Sequence, residues 1–361
     1  MNLENLRTQL SAIDRRLVEL VAQRQQVVGE IGAHKRSSGQ ATRDYQREKD
    51  VLDMARAQAK RLKIDPNLAA GVMSLLIRSS LASQEKDRVA AEGMGNGRRV
   101  LVIGGAGKMG NWFVDFFRSQ GFITDIADRQ LDNRDGQFKD WRDAGTDYDV
   151  MIVATPLAVS AKILLALAEL RPRGLIFDIG SLKTPLRTGL QALCKKGCKV
   201  ASLHPMYGPD TELLSGRHLI FVDVGSAEAT ESAKKLFAST MVEQLDMGLD
   251  DHDRLIAYVL GLSHALNIAF FTALSESGEA APLLATLSST TFDAQLLLSA
   301  AVAHENPHLY FEIQHLNDFG LEPLQALCDS AERIRDLVTH GDEAGFTDLM
   351  RQGRDYMALR P

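Results

Sequence analysis

The stretch from Val100 to Asp128 limits the possible folds more than any other part of the chain. Four apolar residues, Val100 to Ile103, have the length and the branched side chains of a short buried strand. They run into Gly105-Ala106-Gly107-Lys108-Met109-Gly110, after which Trp112, Phe113, Phe116 and Phe117 recur at helical spacing. This is G-x-G-x-x-G between a strand and a helix, the context that separates a dinucleotide-binding turn from an ordinary glycine-rich one. Gly105 is assigned the tight turn, Gly107 the close approach of a pyrophosphate, and Gly110 the packing of helix on strand. The helix start then offers unpaired N–H groups and a positive dipole end to the phosphates. A second strand, Phe122 to Ala127, ends in Asp128, placed to bind the adenosine ribose hydroxyls. A carboxylate there favours NAD, since it repels a 2′-phosphate; Arg129 beside it leaves NADP as the less favoured choice.

Three more apolar runs, Tyr148–Ala154, Leu175–Ile179 and Lys199–Leu203, read as strands of the same open, Rossmann-type parallel sheet. Loops after the strands of such a sheet line its ligand crevice. Thr155 and Pro156 follow the third strand and are read as cofactor contacts. Gly180-Ser181-Leu182-Lys183 follows the fourth, and His204-Pro205-Met206-Tyr207-Gly208-Pro209 continues the fifth. Singly, Ser181, Lys183 or His204 reads as a loop cap or a solvated charge; together they suggest a site. From about Asp250, Ile256, Val259, Leu260, His264, Ile268 and Phe271 return at helical spacing, so the C-terminal part is all-helical and is read as a dimer interface.

The N-terminal part is different. Leu3, Leu6, Leu10, Ile13, Leu17, Leu20, Val27 and Ile31 alternate at three and four, the heptad rule for a long helix against a partner. Arg24 interrupts that seam, where a guanidinium is costly unless an anion meets it. The plainer account is a side chain that snorkels to solvent. Lys35 shares the azimuth about 16 Å further on, close enough for two long side chains to converge. Arg7 lies about 25 Å before Arg24 and reaches the same small ligand only from a second subunit. Arg43-Asp44-Tyr45-Gln46-Arg47-Glu48 opens a second helix to about Lys63, with Asp44, Arg47 and Glu48 on one face. Asp65-Pro66 starts a third. On it Leu68, Val72, Leu75, Leu76 and Ile77 are expected to face inward, and Ser80 and Gln84 share a face. Residues 85–97 read as a linker. The domains expected are thus 1–90, 98–247 and 248–361.

At 361 residues, 45% hydrophobic and 24% charged, the chain is long enough for several cored domains of ordinary globular type. A net charge of −6 gives no reason to expect a nucleic-acid partner, but residues 1–90 hold 16 Lys/Arg against 11 Asp/Glu, so the excess positive charge sits in the first domain. Three cysteines imply a reducing compartment. Cys194 and Cys198 read as a surface helix end, so no metal is expected. The charged start is no signal peptide, and no apolar run reads as long enough for a membrane, so the expectation is a cytoplasmic protein without a membrane partner.

Residues 1–90 resemble the all-helical chorismate mutase domain, an intertwined dimer, without a gap from L-R-x-x-L-S-A-I-D to S-S-L-A-S-Q. The resemblance places substrate-binding and catalytic roles on Arg7 of the other subunit, Arg24, Lys35, Asp44, Arg47, Glu48, Ser80 and Gln84. It implies a pericyclic rearrangement of chorismate to prephenate, driven by restraint and by stabilisation of charge on the breaking ether. Arg7, Arg24 and Arg47 then hold the carboxylates, Lys35 and Gln84 donate to the ether oxygen, and Glu48 with Asp44 holds the ring hydroxyl. The remainder resembles prephenate dehydrogenase, on G-G-A-G-K-M-G, D-I-G-S-L-K and L-H-P-M-Y-G-P-D. The whole is similar to the bifunctional chorismate mutase/prephenate dehydrogenases of tyrosine biosynthesis. Hydride transfer to NAD with loss of carbon dioxide is implied, with His204 as base, Ser181 orienting it, and Lys183 and His264 binding substrate. His252 is a weaker candidate.

One departure stands out. The family places an arginine two helices after His264, yet Thr290–Ala303 holds none, and no Lys or Arg occurs between Arg254 and Arg333. Asp293 and Ala301 stand near the expected positions. Arg217, His264 or a second chain then supplies the charge, or the substrate is arogenate or a 4-amino-4-deoxy analogue of chorismate and prephenate. A mutase joined to a non-catalytic nucleotide-binding scaffold is a third reading, which the presence of His204 and Ser181 opposes. Gln84 donates without needing a proton, unlike a glutamate at that position. Mutase kcat/KM is therefore expected to stay level from neutral to mildly alkaline pH; a steep alkaline loss would contradict the assignment of Gln84.

Overall fold

In the computed structural model, which describes residues 2–359, close contacts divide the chain into two compact units. The first comprises Met1–Thr155, Lys162–Gly180 and Gly189–Asp246, and the second Pro156–Ala161, Ser181–Thr188 and Met247–Pro361.

The first unit begins with three helices, α1 (Leu3–Ser37), α2 (Tyr45–Leu62) and α3 (Pro66–Ala91). Asn2, Asp44 and Asp65 cap them through their side chains, which accept backbone N–H bonds in the first turn. Lys63 closes α2 in the left-handed region, at φ 58°. Within α1 only Val28 and Gly32 are buried, and the whole seam from Leu3 to Ile31 is exposed in the single chain. Leu68, Val72 and Leu75 of α3, expected to face inward, are exposed as well. Apolar spacing shows that a face will be covered, but not whether the cover comes from the same chain.

An eight-stranded sheet follows: β1 (Arg99–Ile103), β2 (Ile123–Ala127), β3 (Gln137–Phe138), β4 (Val150–Val153), β5 (Leu175–Asp178), β6 (Lys199–Pro205), β7 (His218–Asp223) and β8 (Glu243–Gly248). Their spatial order is β3-β2-β1-β4-β5-β6-β7-β8. β1 pairs in parallel with β2 on one side and β4 on the other, so the winding reverses beside it, the switch point where doubly wound sheets bind ligands. The sheet is parallel through β6 and turns antiparallel at β7. Helix α4 (Lys108–Ser119) follows β1 and sinks Phe113, Val114, Phe116 and Phe117 into the sheet. Phe113 lies against Phe177 and Phe237, at ring separations of 6.2 and 6.3 Å, and Phe117 lies 5.2 Å from Phe122. The remaining helices, α5 (Leu157–Leu170), α6 (Arg187–Lys195) and α7 (Ala227–Lys235), complete the crossovers.

Two expectations change here. Residues 85–91 are not linker: α3 continues to Ala91, and Val89 belongs to the core that α4 builds. The short passage from α3 to β1 is also pressed against structure. A Cβ on Gly95 would stand 2.1 Å from the carbonyl carbon of Gly121, and one on Gly93 2.5 Å from the Gln120 oxygen. Its glycines serve close approach, which composition alone cannot separate from flexibility. Second, Cys198 is buried and Cys194 partly so, its Sγ 3.0 Å from the Val224 carbonyl, so the pair is not a surface feature.

The second unit holds α8 (Leu249–Ile256), a π-helical turn (Ala257–Leu262), α9 (Ser263–Glu276), α10 (Ala281–Thr286), α11 (Thr290–Ala303), α12 (Pro307–His315), α13 (Leu321–His340) and α14 (Glu343–Met357). Against expectation, one continuous helical run here, Leu249–Glu276, is long and apolar enough to cross a membrane by length and composition. Four of its five charges, Asp250, Asp251, Asp253 and Arg254, crowd the first turns, and the fifth, Glu276, ends the run.

Candidate active sites

The three-helix region brings Arg24, Ser80 and Gln84 together. The Arg24 guanidinium donates to the Leu76 carbonyl at 3.0 Å and to the Ser80 hydroxyl. Gln84, one turn beyond Ser80, is buried between α3 and α1. Its Nε2 makes one long bond, 3.4 Å to the Val28 carbonyl, and its Oε1 is buried without a partner. Such a group is expensive unless something polar meets it. Gly32 of α1 makes the room, since a Cβ there would stand 3.1 Å from Gln84 Cγ. The same Cβ would lie 3.5 Å from Arg36 Nη1, also buried and unpartnered. The sequence reading missed Arg36, because a basic residue in the last turn of a helix usually just complements its dipole.

Other candidates are placed differently. Lys35 Nζ donates to the Thr42 carbonyl at 2.7 Å. Glu48 pairs bidentately with Arg43, at 2.8 and 3.0 Å, and this pair raises the Arg43 pKa. Asp44 is spent as the cap of α2, accepting from the Arg47 N–H at 3.0 Å, and both it and Arg47 are exposed. Arg7 is exposed near the start of α1, which runs unbroken past Arg24, so it cannot fold back to Gln84 within one chain.

At the sheet's switch point the left-handed turn falls on Gly104, φ +88°, rather than Gly105. A Cβ on Gly104 would lie 2.4 Å from the Ala154 carbonyl oxygen, one on Gly105 2.5 Å from Ile126 Cγ2, and one on Gly110 2.1 Å from the Gly104 oxygen. The doubled glycine lets the turn start one residue early. Ala106, Gly107 and Lys108 are exposed, Met109 is half-buried, and Gly107 caps α4 with no side-chain bond. The first N–H groups of α4 are thus left for an anion, and the cradle fits a dinucleotide pyrophosphate. Asp128 is half-exposed at the end of β2, its carboxylate accepting from the Gln130 N–H at 3.0 Å. Thr155 follows β4, and His204 is buried in β6, opposite Ile220.

The second unit holds Pro156, Ser181, Lys183, His252 and His264. Lys183 is fully buried and Ser181 half-buried. The loop that carries them is fastened by Asp253, a residue outside the sequence-based set. Its carboxylate accepts from the Lys183 N–H at 2.9 and 3.0 Å, the Thr184 N–H at 2.5 Å, and lies 2.6 Å from His252 Nδ1. Burial alone would raise the Asp253 pKa, but these bonds outweigh it and hold the group below its ordinary value. His264 stacks on Tyr310 at 4.1 Å, and burial lowers its pKa, so the ring is neutral at neutral pH. Within Thr290–Ala303, the stretch in which an arginine was expected, Gln295 and Ser299 of α11 bond Asn267 of α9 at 3.0 and 2.9 Å, a network of neutral groups. Among the described residues no His/Cys/Asp/Glu cluster suits a metal.

With this geometry in view, the family matches fall in chain order. Residues 6–85 match chorismate mutase type II, 124–243 the nucleotide-binding domain of prephenate dehydrogenase, and 249–352 its dimerization domain. The chain is a chorismate mutase fused to a prephenate dehydrogenase. The T-protein of Enterobacter agglomerans is 25% identical over 345 residues, 94% of this chain and 89% of that one. The 4-amino-4-deoxyprephenate dehydrogenase of Streptomyces pristinaespiralis is 28% identical over 268 residues, 71% of this chain and 90% of that one. The prephenate dehydrogenase from A. aeolicus, solved with hydroxyphenyl propionate and NAD+, shares the dehydrogenase fold, with a TM-score of 0.55 at 16% identity over 72% of this chain and 97% of that one.

In this dehydrogenase Asp253 has a folded pKa below its unfolded value. Its stabilisation is complete above the ordinary carboxylate range and fades as pH falls through the depressed value. Asp253→Asn is expected to cost roughly 1–3 kcal/mol at neutral pH and to flatten the acid limb of stability against pH, read by denaturant unfolding. An unchanged acid limb would disprove the assignment.

Proposed function

We propose that the chain rearranges chorismate to prephenate and then oxidatively decarboxylates prephenate to 4-hydroxyphenylpyruvate with NAD, as a cytoplasmic homodimer in tyrosine biosynthesis. The observation that carries the first reaction is the buried Gln84 amide, whose Nε2 makes only one long bond, 3.4 Å to the Val28 carbonyl, beside the Arg24–Ser80 pair. A neutral donor in a dry, cationic pocket suits an ether oxygen that gains charge as its bond breaks. Arg24 takes a carboxylate, Lys35 assists Gln84, and Glu48 orders the ring hydroxyl. Arg7 of a second subunit and Arg47 bind the other carboxylate. The exposed apolar seam of α1 supports the dimer this requires.

In the second reaction the nicotinamide, when bound, accepts the hydride. Gly105, Ala106, Gly107, Lys108, Met109 and Gly110 hold the pyrophosphate, Asp128 the ribose, and Thr155 and Pro156 the remainder. His204 accepts the hydroxyl proton at a ring nitrogen and therefore acts as neutral imidazole. Ser181, Lys183 and His264 bind and orient the substrate. The absence of an arginine from α11, whose Gln295 and Ser299 join Asn267 in a neutral network, favours one second reading: arogenate or a 4-amino-4-deoxy analogue as the oxidised substrate.

Gln84→Ala is expected to lower chorismate turnover by about a hundredfold or more while leaving NADH formation from prephenate within about twofold. His204→Asn should do the reverse. Loss of both activities in either folded variant would refute two separate sites, and NADH formed only from arogenate or the amino analogue would install the second reading.

A further inference from the structure

Glu85 follows Gln84 on α3 and has no part in the chemistry proposed above. Its side chain is 4% exposed. Oε2 accepts from the Leu214 N–H at 2.8 Å, and Oε1 accepts from the Met241 N–H. Burial pushes its carboxyl up, and the two peptide N–H groups pull it back. Both donors belong to the nucleotide-binding part of the chain, Leu214 lying on the segment that leads from His204 and β6 towards β7.

A second contact meets the same segment one residue on. Arg43 Nη1 donates to Ser215 Oγ at 2.7 Å, while its Nε and Nη2 grip Glu48. At the segment's other end, Trp112 of α4 donates through Nε1 to the Thr211 carbonyl at 3.1 Å. Residues 209–217 are therefore fixed to the helix that starts at the glycine turn, and they touch the immediate supports of two isomerase-site residues. An apolar contact would join the two parts at less desolvation cost than a buried carboxylate. What the carboxylate adds is direction, because its two oxygens must meet two fixed N–H vectors.

We propose that the 209–217 segment is a working part of the isomerase site: acting through Glu85 and Arg43 it sets the positions of Gln84 and Glu48. Glu85, Arg43 and Ser215 are then positioning residues for chorismate rearrangement. The proposal rests on the roles assigned to Gln84 and Glu48 above. A reaction catalysed by restraint is sensitive to such placement, since a shift of about 1 Å in a supporting group can cost up to a hundredfold in rate.

The test uses the full chain with Glu85→Gln, Ser215→Ala and Ser215→Thr. The amide of Glu85→Gln keeps the volume but turns an NH2 towards one of the two peptide donors. Ser215→Ala removes a single hydroxyl, and Ser215→Thr keeps it. Chorismate kcat and KM, NADH formation from prephenate, and Tm are measured for each. Glu85→Gln and Ser215→Ala are expected to lower mutase kcat about tenfold with KM within about twofold, leave prephenate oxidation within about twofold, and Ser215→Thr to recover the wild-type rate. A lowered Tm with unchanged mutase kcat would make the contacts plain adhesion and overturn the proposal. Parallel loss of both activities would overturn it too. Should Glu85→Gln fail to fold, the Ser215 pair decides. Wild-type protein inert towards chorismate would instead remove the functional reading itself.

Discussion

One helix belongs to two cores at once, and much of the structure depends on its doing so without a break. The middle of α3 presents Ser80 and Gln84 to α1, while Val89, near its end, sits among the phenylalanines of α4. Between them Glu85 spends both carboxylate oxygens on peptide N–H groups of the nucleotide-binding part. A 26-residue helix is stiff on this scale, about 39 Å of rod, so the polar cluster and the hydrophobic core cannot shift independently. The glycines after α3 reinforce this, because they press the backbone that leads to β1 against that of Gln120 and Gly121.

The two chemistries are arranged by opposite means. The isomerase region keeps polar groups dry and short of partners, with Gln84 Oε1 and Arg36 Nη1 both buried and unmet. At the sheet's switch point the backbone of Ala106–Lys108 and the uncapped start of α4 are instead open to solvent, and the aromatic core beneath them keeps them in place. In the second unit a depressed carboxylate, Asp253, holds the loop of Ser181 and Lys183, while His264 is kept neutral by burial.

The sequence showed local periodicity and missed what depends on distant partners. The strand, glycine turn and helix from Val100 to Phe117 were legible because each is fixed within a few residues. Even there the left-handed position moved from Gly105 to Gly104, since either glycine of the pair can take it and packing against Ala154 decides. The short β3 and the polar β8 carried too weak a pattern to be read, whereas β7 went unread although Leu219–Val222 is an apolar run like that of β1. The i, i+4 pair Ser80 and Gln84 was legible, but Arg36, Glu85 and Asp253 were not. Their meaning lies in Gly32, Leu214, Met241 and Lys183, which are far away along the chain or silent in composition. Asp44 looked like chemistry and also caps a helix, a dual use that one letter cannot announce.

Helix α1 has 35 residues and buries two of them. Rods of that length owe their persistence in water to tertiary cover more than to their own hydrogen bonds. In the single chain α1 is therefore the least self-sufficient element of the fold, because the stripe that would anchor it lies in water.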